Sequence, residues 1–248
     1  MSITKVLEPD QIQIETYEGV INLTLLRSSR AKRMSMRARP LKGDIALTLP
    51  YNIPLSKGIS FAQSKQQWLL SAYNGLEKAQ AFEDGVIFPF RGIEHQICSL
   101  DKLRGKVEIY QAGENNNSIY PQILVPGGEQ HVARRLKDWL KEEAKRDLCQ
   151  AVQKYALRAG VKITAITVRD TSTRWGSCSS NGKLSFSWRL IMAPPFVLHY
   201  LAAHEVAHRR EMNHSKQYWD VVAQIEPDYQ RAEYWLKNYG KSLHLIGV

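Results

Sequence analysis

The chain has 248 residues, of which 44% are hydrophobic, and this apolar content predicts a folded core rather than a disordered chain. Its formal net charge of +10 favours an acidic partner such as nucleic acid, although the same excess also serves solubility alone. The three cysteines are widely spaced, which excludes a disulfide framework and a paired-cysteine zinc knuckle.

Nothing in the hydropathy of the chain indicates a membrane protein. The longest uncharged apolar stretch, residues 190–203, contains two prolines and is too short to span a bilayer. Residues 1–20 lack a basic segment followed by an apolar run, so no signal peptide is expected. We therefore expect a cytoplasmic location and no membrane partner. The residues specify no oligomeric state.

Apolar and polar side chains alternate over residues 11–48 and predict a small antiparallel sheet. Seven basic residues and no acidic one lie between Glu18 and Asp44. Two interpretations stay open. The charges form a solvated face, or they form a phosphate-binding face, because strand alternation would place Arg33, Arg37 and Arg39 on one side.

The middle of the chain predicts one helix, several short strands and then a long helix. Residues 56–80 show helical spacing, residues 85–125 return to short β segments, and residues 129–159 carry an apolar residue about every fourth position. Gly160 suits the C-terminal cap of the long helix. We predict a β-rich domain with one helix over residues 1–128 and a catalytic domain over residues 129–248. The long helix begins the second domain and separates the β-rich half of the chain from the catalytic half.

Residues 161–192 predict strands, and Asn181-Gly182 between two alternating segments is a strong hairpin signal. The second strand of this hairpin is expected to continue to Leu190. Pro194-Pro195 then begins a helix. A further helix is expected after His214, a break at residues 226–228, and a last helix that ends near Gly240.

The helix after Pro195 carries the sequence His204-Glu205-Val206-Ala207-His208. Residues four apart share a helix face, so His204 and His208 can hold one Zn²⁺ while Glu205 lies beside them as a base. Because a bare motif of this kind also occurs by chance, the following residues matter.

His214 is the best third ligand, but it lies six residues beyond His208. Six residues turn an unbroken helix by about 600°, which would carry His214 off the ligand face. The helix is therefore expected to stop near Met212-Asn213, with Asn213 in the left-handed conformation. Ser215 can then cap the next helix.

Four segments together resemble the YgjP-like metallopeptidase family and, more distantly, the SprT-like zinc proteases. They are residues 174–179 (Arg-Trp-Gly-Ser-Cys-Ser), residues 184–190 (Leu-Ser-Phe-Ser-Trp-Arg-Leu), the motif from His204 to His208, and Asn213-His214-Ser215. The likeness extends over about residues 20–240. Val206 stands where the family usually has Leu, and His199 where it often has Asp; neither is a ligand position.

The resemblance implies an α+β fold with a zincin-like C-terminal half. It implies one Zn²⁺ per chain on His204, His208 and His214, with Glu205 as general acid and base. The first hypothesis is accordingly a zinc metallopeptidase that hydrolyses protein or peptide substrates through a Zn-bound water activated by Glu205.

The hydrolysis also needs a donor for the developing oxyanion, and Arg174, Arg189 and Tyr218 are candidates by chain proximity. The alternative is a zinc-dependent phosphohydrolase acting on nucleotides, which the basic excess favours. A nucleic-acid-binding module with structural zinc is the weakest hypothesis, because an open three-histidine site beside a glutamate suits catalysis better.

Overall fold

The computed structural model describes residues 9–39, 42–76, 79–102, 104–113, 118–171 and 174–248. As predicted, the fold is α+β, with six α-helices and three small sheets in these ranges. The chain divides into two compact units, residues 1–79 and 80–248. Within the described ranges no helix is long and apolar enough to cross a membrane.

The first unit is a four-stranded sheet with two short helices. Its elements are β1 (Gln11–Thr16), β2 (Gly19–Ser28), β3 (Ser35–Arg39), β4 (Asp44–Pro50), α1 (Leu55–Ser64) and α2 (Gln66–Asn74). The sheet order is β1-β2-β4-β3, and β2 pairs with β4 in parallel. The predicted all-antiparallel sheet is therefore wrong at its centre, because β3 lies outside β4 and lets β4 return beside β2 in the same direction.

The core of the first unit lies between one face of this sheet and the helices. Alternate residues of β1 and β2, such as Ile14 and Leu23, are fully buried there. Gly58 allows α1 to approach β4 closely, since a Cβ at this position would lie 2.7 Å from Leu49 Cδ1. The predicted single helix is two helices, because Lys65 leaves the helical conformation (φ −112°, ψ 26°). Residues 77–78 of that prediction lie outside the described residues.

The second unit contains two sheets packed with four helices. Its first part comprises β5 (Ile87–Phe90), β6 (Ile93–Leu100), β7 (Glu108–Tyr110), β8 (Gln122–Pro126) and α3 (Glu129–Ala159). Its second part comprises β9 (Ala165–Arg169), β10 (Gly176–Cys178), β11 (Lys183–Ser187), α4 (Pro195–Ala207), α5 (Lys216–Ile225) and α6 (Tyr229–Leu243). The sheet orders are β5-β6-β8-β7 and β10-β11-β9.

The long helix α3 has the predicted bounds, and Gly160 caps it in the left-handed conformation (φ 65°, ψ 38°). Buried residues of β8, such as Ile123, and of α3, such as Leu140, belong to one hydrophobic core. The predicted domain boundary between residues 128 and 129 therefore falls inside the second unit, at the junction of two elements that share this core.

A short 3-10 helix, Trp188–Met192, connects β11 to α4. The strand predicted to reach Leu190 ends instead at Ser187, whose hydroxyl accepts a hydrogen bond from the Arg189 backbone N–H. Pro195 then begins α4 as expected. Because α4 packs against α3, α5, α6 and β10, it is buried on most sides and holds its side chains in fixed positions.

Candidate metal centre

The structure brings His204, His208 and His214 together. His204 lies in the last turn of α4, His208 caps that helix, and His214 follows in the loop before α5. One ring nitrogen from each histidine lies within 4.8 Å of the others. The Nε2 atoms of His204 and His214 are 3.3 Å apart. This cluster has the size and the donor set of a three-histidine metal site.

The loop that returns His214 to the cluster begins earlier than predicted. α4 ends at Ala207 rather than near Met212, and Asn213 is not in the left-handed region. Instead the Asn213 side-chain oxygen accepts a hydrogen bond from the Ser215 N–H (2.9 Å). The predicted cap is confirmed, since the Ser215 hydroxyl accepts from the Tyr218 N–H (3.3 Å).

Hydrogen bonds at the outer ring nitrogens orient His204 and His208 toward the cluster. His208 Nδ1 lies 3.1 Å from the Glu211 carbonyl oxygen, which fixes the proton on Nδ1 and leaves the Nε2 lone pair free. His204 Nδ1 lies 3.4 Å from the Tyr200 hydroxyl. Such partners are characteristic of metal-binding histidines.

The cluster favours neutral imidazoles, which are the metal-binding form. Burial, followed by the nearby His208 and His214, lowers the pKa of His204 to about 3. Burial also lowers the pKa of His208, against the opposing effect of its hydrogen bond to the Glu211 carbonyl. The donor set, the ring orientation and the neutral state together fit a bound Zn²⁺.

Glu205 lies beside the histidines and is only 4% exposed. Burial raises the pKa of Glu205 to about 8. Its side chain packs directly on the backbone of β10, since a Cβ built on Gly176 would lie 2.8 Å from Glu205 Cγ. Only glycine leaves room for this carboxylate. The sequence analysis used Gly176 as part of a motif but assigned it no role.

The histidines and Glu205 face a cavity of about 310 Å³, here called the metal cavity. Its other lining residues come from the start of the hairpin and from the loop after α4: Arg174, Gly176, Ser177, Cys178 and Met212. The edge strand β10 therefore forms one wall of the metal cavity.

The three candidate oxyanion donors have different positions. Arg174 lines the metal cavity. Arg189 is buried elsewhere, where it donates to the Leu243 carbonyl (2.9 Å) and to Asp170 (3.1 Å). The buried Tyr218 hydroxyl donates to the His204 backbone carbonyl (3.0 Å). Arg189 and Tyr218 thus support the C-terminal segment and α4, respectively, rather than lining the cavity.

The basic run of the first unit is only partly a strand. Arg33 precedes β3. Arg37 and Arg39 lie on one face of β3, and Met36 and Ala38 lie on its other face, against the core. Arg39 pairs with Asp44 across the sheet edge (Nε–Oδ1 2.7 Å). Burial acts to raise the pKa of Asp44, but hydrogen bonds from Arg39 and Thr24 lower it overall.

One comparison with known proteins identifies a family. The family model described as "YgjP-like, metallopeptidase domain" matches residues 32–239. No curated protein and no solved structure matches the chain.

Proposed function

Because the chain belongs to the YgjP-like metallopeptidase family, we propose that it is a zinc-dependent peptidase with Glu205 as its general base. His204, His208 and His214 hold one Zn²⁺ per chain in this proposal. The observation that carries it is the position of a buried carboxylate beside three converging imidazoles in one cavity. Zinc, when bound, supplies a Lewis acid that polarises a carbonyl and lowers the pKa of a water ligand to about 7.

Glu205 moves the proton in this reaction. A cation held by the imidazoles favours the carboxylate form of Glu205, which takes a proton from water and later gives it to the leaving amine. Burial acts in the opposite direction on the pKa of Glu205 and favours retention of the proton between the two steps. Arg174 is the candidate donor to the oxyanion, because it lines the same cavity.

Among the described residues β10 is the outermost strand of its sheet, and its outer edge supports an extended peptide as the substrate. Backbone hydrogen bonds join Trp175 to Ser187 and Ser179 to Lys183. In an antiparallel ladder the peptide groups of Gly176 and Cys178 therefore point away from β11, toward the outer edge. Both residues line the metal cavity. A peptide added to this edge as a further strand would pass the histidine cluster.

The family membership favours the peptidase over the nucleotide phosphohydrolase. The test is to incubate zinc-loaded protein with unfolded casein and, in parallel, with a panel of nucleoside triphosphates. We expect casein fragments and no released phosphate. The zinc-loaded Glu205→Gln variant is the matched control, and equal cleavage by this variant would overturn the role of Glu205 as general base. Phosphate release without casein cleavage would overturn the proposal.

A further inference from the structure

A second cavity of about 470 Å³ adjoins the metal cavity and is here called the side pocket. The two cavities share Gly176, His204 and Glu205. The side pocket therefore opens beside the proposed general base and one of the proposed metal ligands. A group bound in it would lie next to the reacting bond of a peptide on β10.

The wall of the side pocket is apolar and comes from three elements: Trp175 before β10, Tyr200 and Leu201 of α4, and Leu236 of α6. Tyr200 and Leu201 are each 5% exposed, so their positions are set by packing. The Trp175 ring stacks on the His244 ring, with centroids 4.4 Å apart. Gly240 permits this position, because a Cβ there would lie 3.2 Å from Trp175 Cζ2.

Two charged residues, Glu233 and Lys237, also line the side pocket. They are exposed and lie one turn apart on α6, so their opposite charges offset each other. Apart from Glu205, which also lines the metal cavity, the side pocket therefore offers apolar surface without a net charge, and this combination favours a neutral occupant over a basic or an acidic one.

We propose that the side pocket is the specificity subsite of the peptidase and that it binds a large apolar or aromatic side chain flanking the scissile bond. This inference rests on the proposed function and adds the class of residue that the substrate carries. The volume of the side pocket accommodates a phenylalanine or leucine side chain. Its connection to the metal cavity places that side chain beside the bond to be cleaved. In this proposal Leu236 contacts the bound side chain and determines its size, and the buried Tyr200 forms part of the pocket wall.

The test uses zinc-loaded protein and Gly/Ser peptides with one guest residue, either Ala, Leu or Phe, and mass spectrometry to locate the cut. We expect cleavage next to the guest, with kcat/KM at least about 10-fold higher for Leu and Phe than for Ala. Leu236→Trp places an indole ring in the pocket and should remove this preference by slowing the Leu and Phe peptides. Tyr234→Ala is the matched control, because Tyr234 is on the same helix and 66% exposed.

A binding measurement separates failure of the subsite from failure of the peptidase. Fluorescein-labelled versions of the three peptides are titrated with zinc-loaded Glu205→Gln protein and with Leu236→Trp and Leu236→Ala in that background. Tighter binding of the Phe peptide than of the Ala peptide, with this difference lost in Leu236→Trp, supports the subsite even where no peptide is cleaved. Absence of cleavage together with this binding preference would overturn the peptidase activity alone. Equal affinity for the three guests, or an unchanged preference in both folded Leu236 variants, overturns the subsite.

Discussion

The two short edge strands β10 and β3 differ in their charge and in what they pack against. β10 carries Gly176, Ser177 and Cys178, has no charged residue, and forms a wall of the metal cavity. β3 carries two arginines, and one of them is paired with Asp44 at the sheet edge. The uncharged strand lies at the candidate active site. The arginine-bearing strand lies in the first unit, and one of its two arginines is engaged in an ion pair.

The comparison shows that a candidate catalytic site depends on buried functional side chains and on small neighbouring residues that leave space for them. Gly176 matters because the absence of a side chain lets Glu205 pack against the strand. A dense run of cations, by contrast, is consistent with solvation of a sheet edge. Four substitutions or sets of substitutions sharpen this contrast, from the largest expected effect to the smallest.

Gly176→Ala should have the largest effect. The added methyl group would displace the Glu205 carboxylate, and a displacement of about 1 Å at a reacting group costs about 100-fold in rate. We expect casein cleavage to fall by about that factor while zinc content stays unchanged. Ser185→Ala on the neighbouring β11 is the control, since it adds no atom. Wild-type turnover in a zinc-replete Gly176→Ala protein would show that the close approach has no catalytic role.

Arg174 and Arg189 should separate activity from stability. Arg189→Met removes charged hydrogen bonds to buried carbonyls and should lower the free energy of unfolding by about 2–4 kcal/mol, with turnover per folded molecule retained. Arg174→Met should leave stability within about 0.5 kcal/mol, as for exposed positions, and lower kcat. Urea unfolding and casein kinetics on both variants provide the measurement. The reverse pattern would place Arg189, not Arg174, at the reacting group.

The Arg39–Asp44 pair should make the first unit sensitive to acid. The pKa of Asp44 in the folded chain is below its ordinary value near 3.8. The stabilisation is therefore fully present above that value and is lost as the pH falls through the folded-state pKa. Thermal unfolding at about pH 2 and about pH 7, which lie below and above the ordinary carboxyl range, should show a smaller loss of stability in acid for Asp44→Asn than for wild type. Parallel curves for the two proteins would remove the pair as a stabilising contact.

Nucleic-acid binding by the basic run stays a prediction, and its effect should be the smallest. Arg37 is exposed on β3, while Arg39 is paired and Arg33 precedes the strand. Because Arg39 is engaged with Asp44, one or two phosphate contacts are at stake. If the run binds phosphates, substituting all three arginines by Ser should therefore flatten the slope of log affinity against log salt by about one to two units, at about 0.7–0.9 per lost contact. Filter binding at several salt concentrations measures this slope. An unchanged slope would identify the run as a solvated face.

Much of the second unit could be predicted from local signals. The fourfold apolar spacing and Gly160 gave the correct bounds of α3, and the helix that carries the histidines begins at Pro195 as expected. The grouping of His204, His208 and His214 also followed from spacing and from the cap at Ser215. These features depend on residues close in sequence, where periodicity and capping rules apply.

Other features depended on contacts between distant residues and could not be predicted. The parallel pairing of β2 and β4 is set by the route of the chain between them, which residue alternation does not encode. Arg189 was a candidate site residue by chain proximity, but its partners are Asp170 and backbone carbonyls near the C-terminal end of the chain. The role of Gly176 became visible only when Glu205 was found against it.

The central claim is that the three histidines hold a catalytic zinc ion beside Glu205. Its most direct test is elemental analysis combined with casein turnover for wild type, His204→Ala, His208→Ala and Glu205→Gln. We expect about one zinc per chain in wild type and Glu205→Gln and none in the histidine variants. Turnover should fall by about 100-fold or more in Glu205→Gln, as for loss of a general base. Unchanged zinc in both histidine variants, or full activity in zinc-replete Glu205→Gln, would contradict the account.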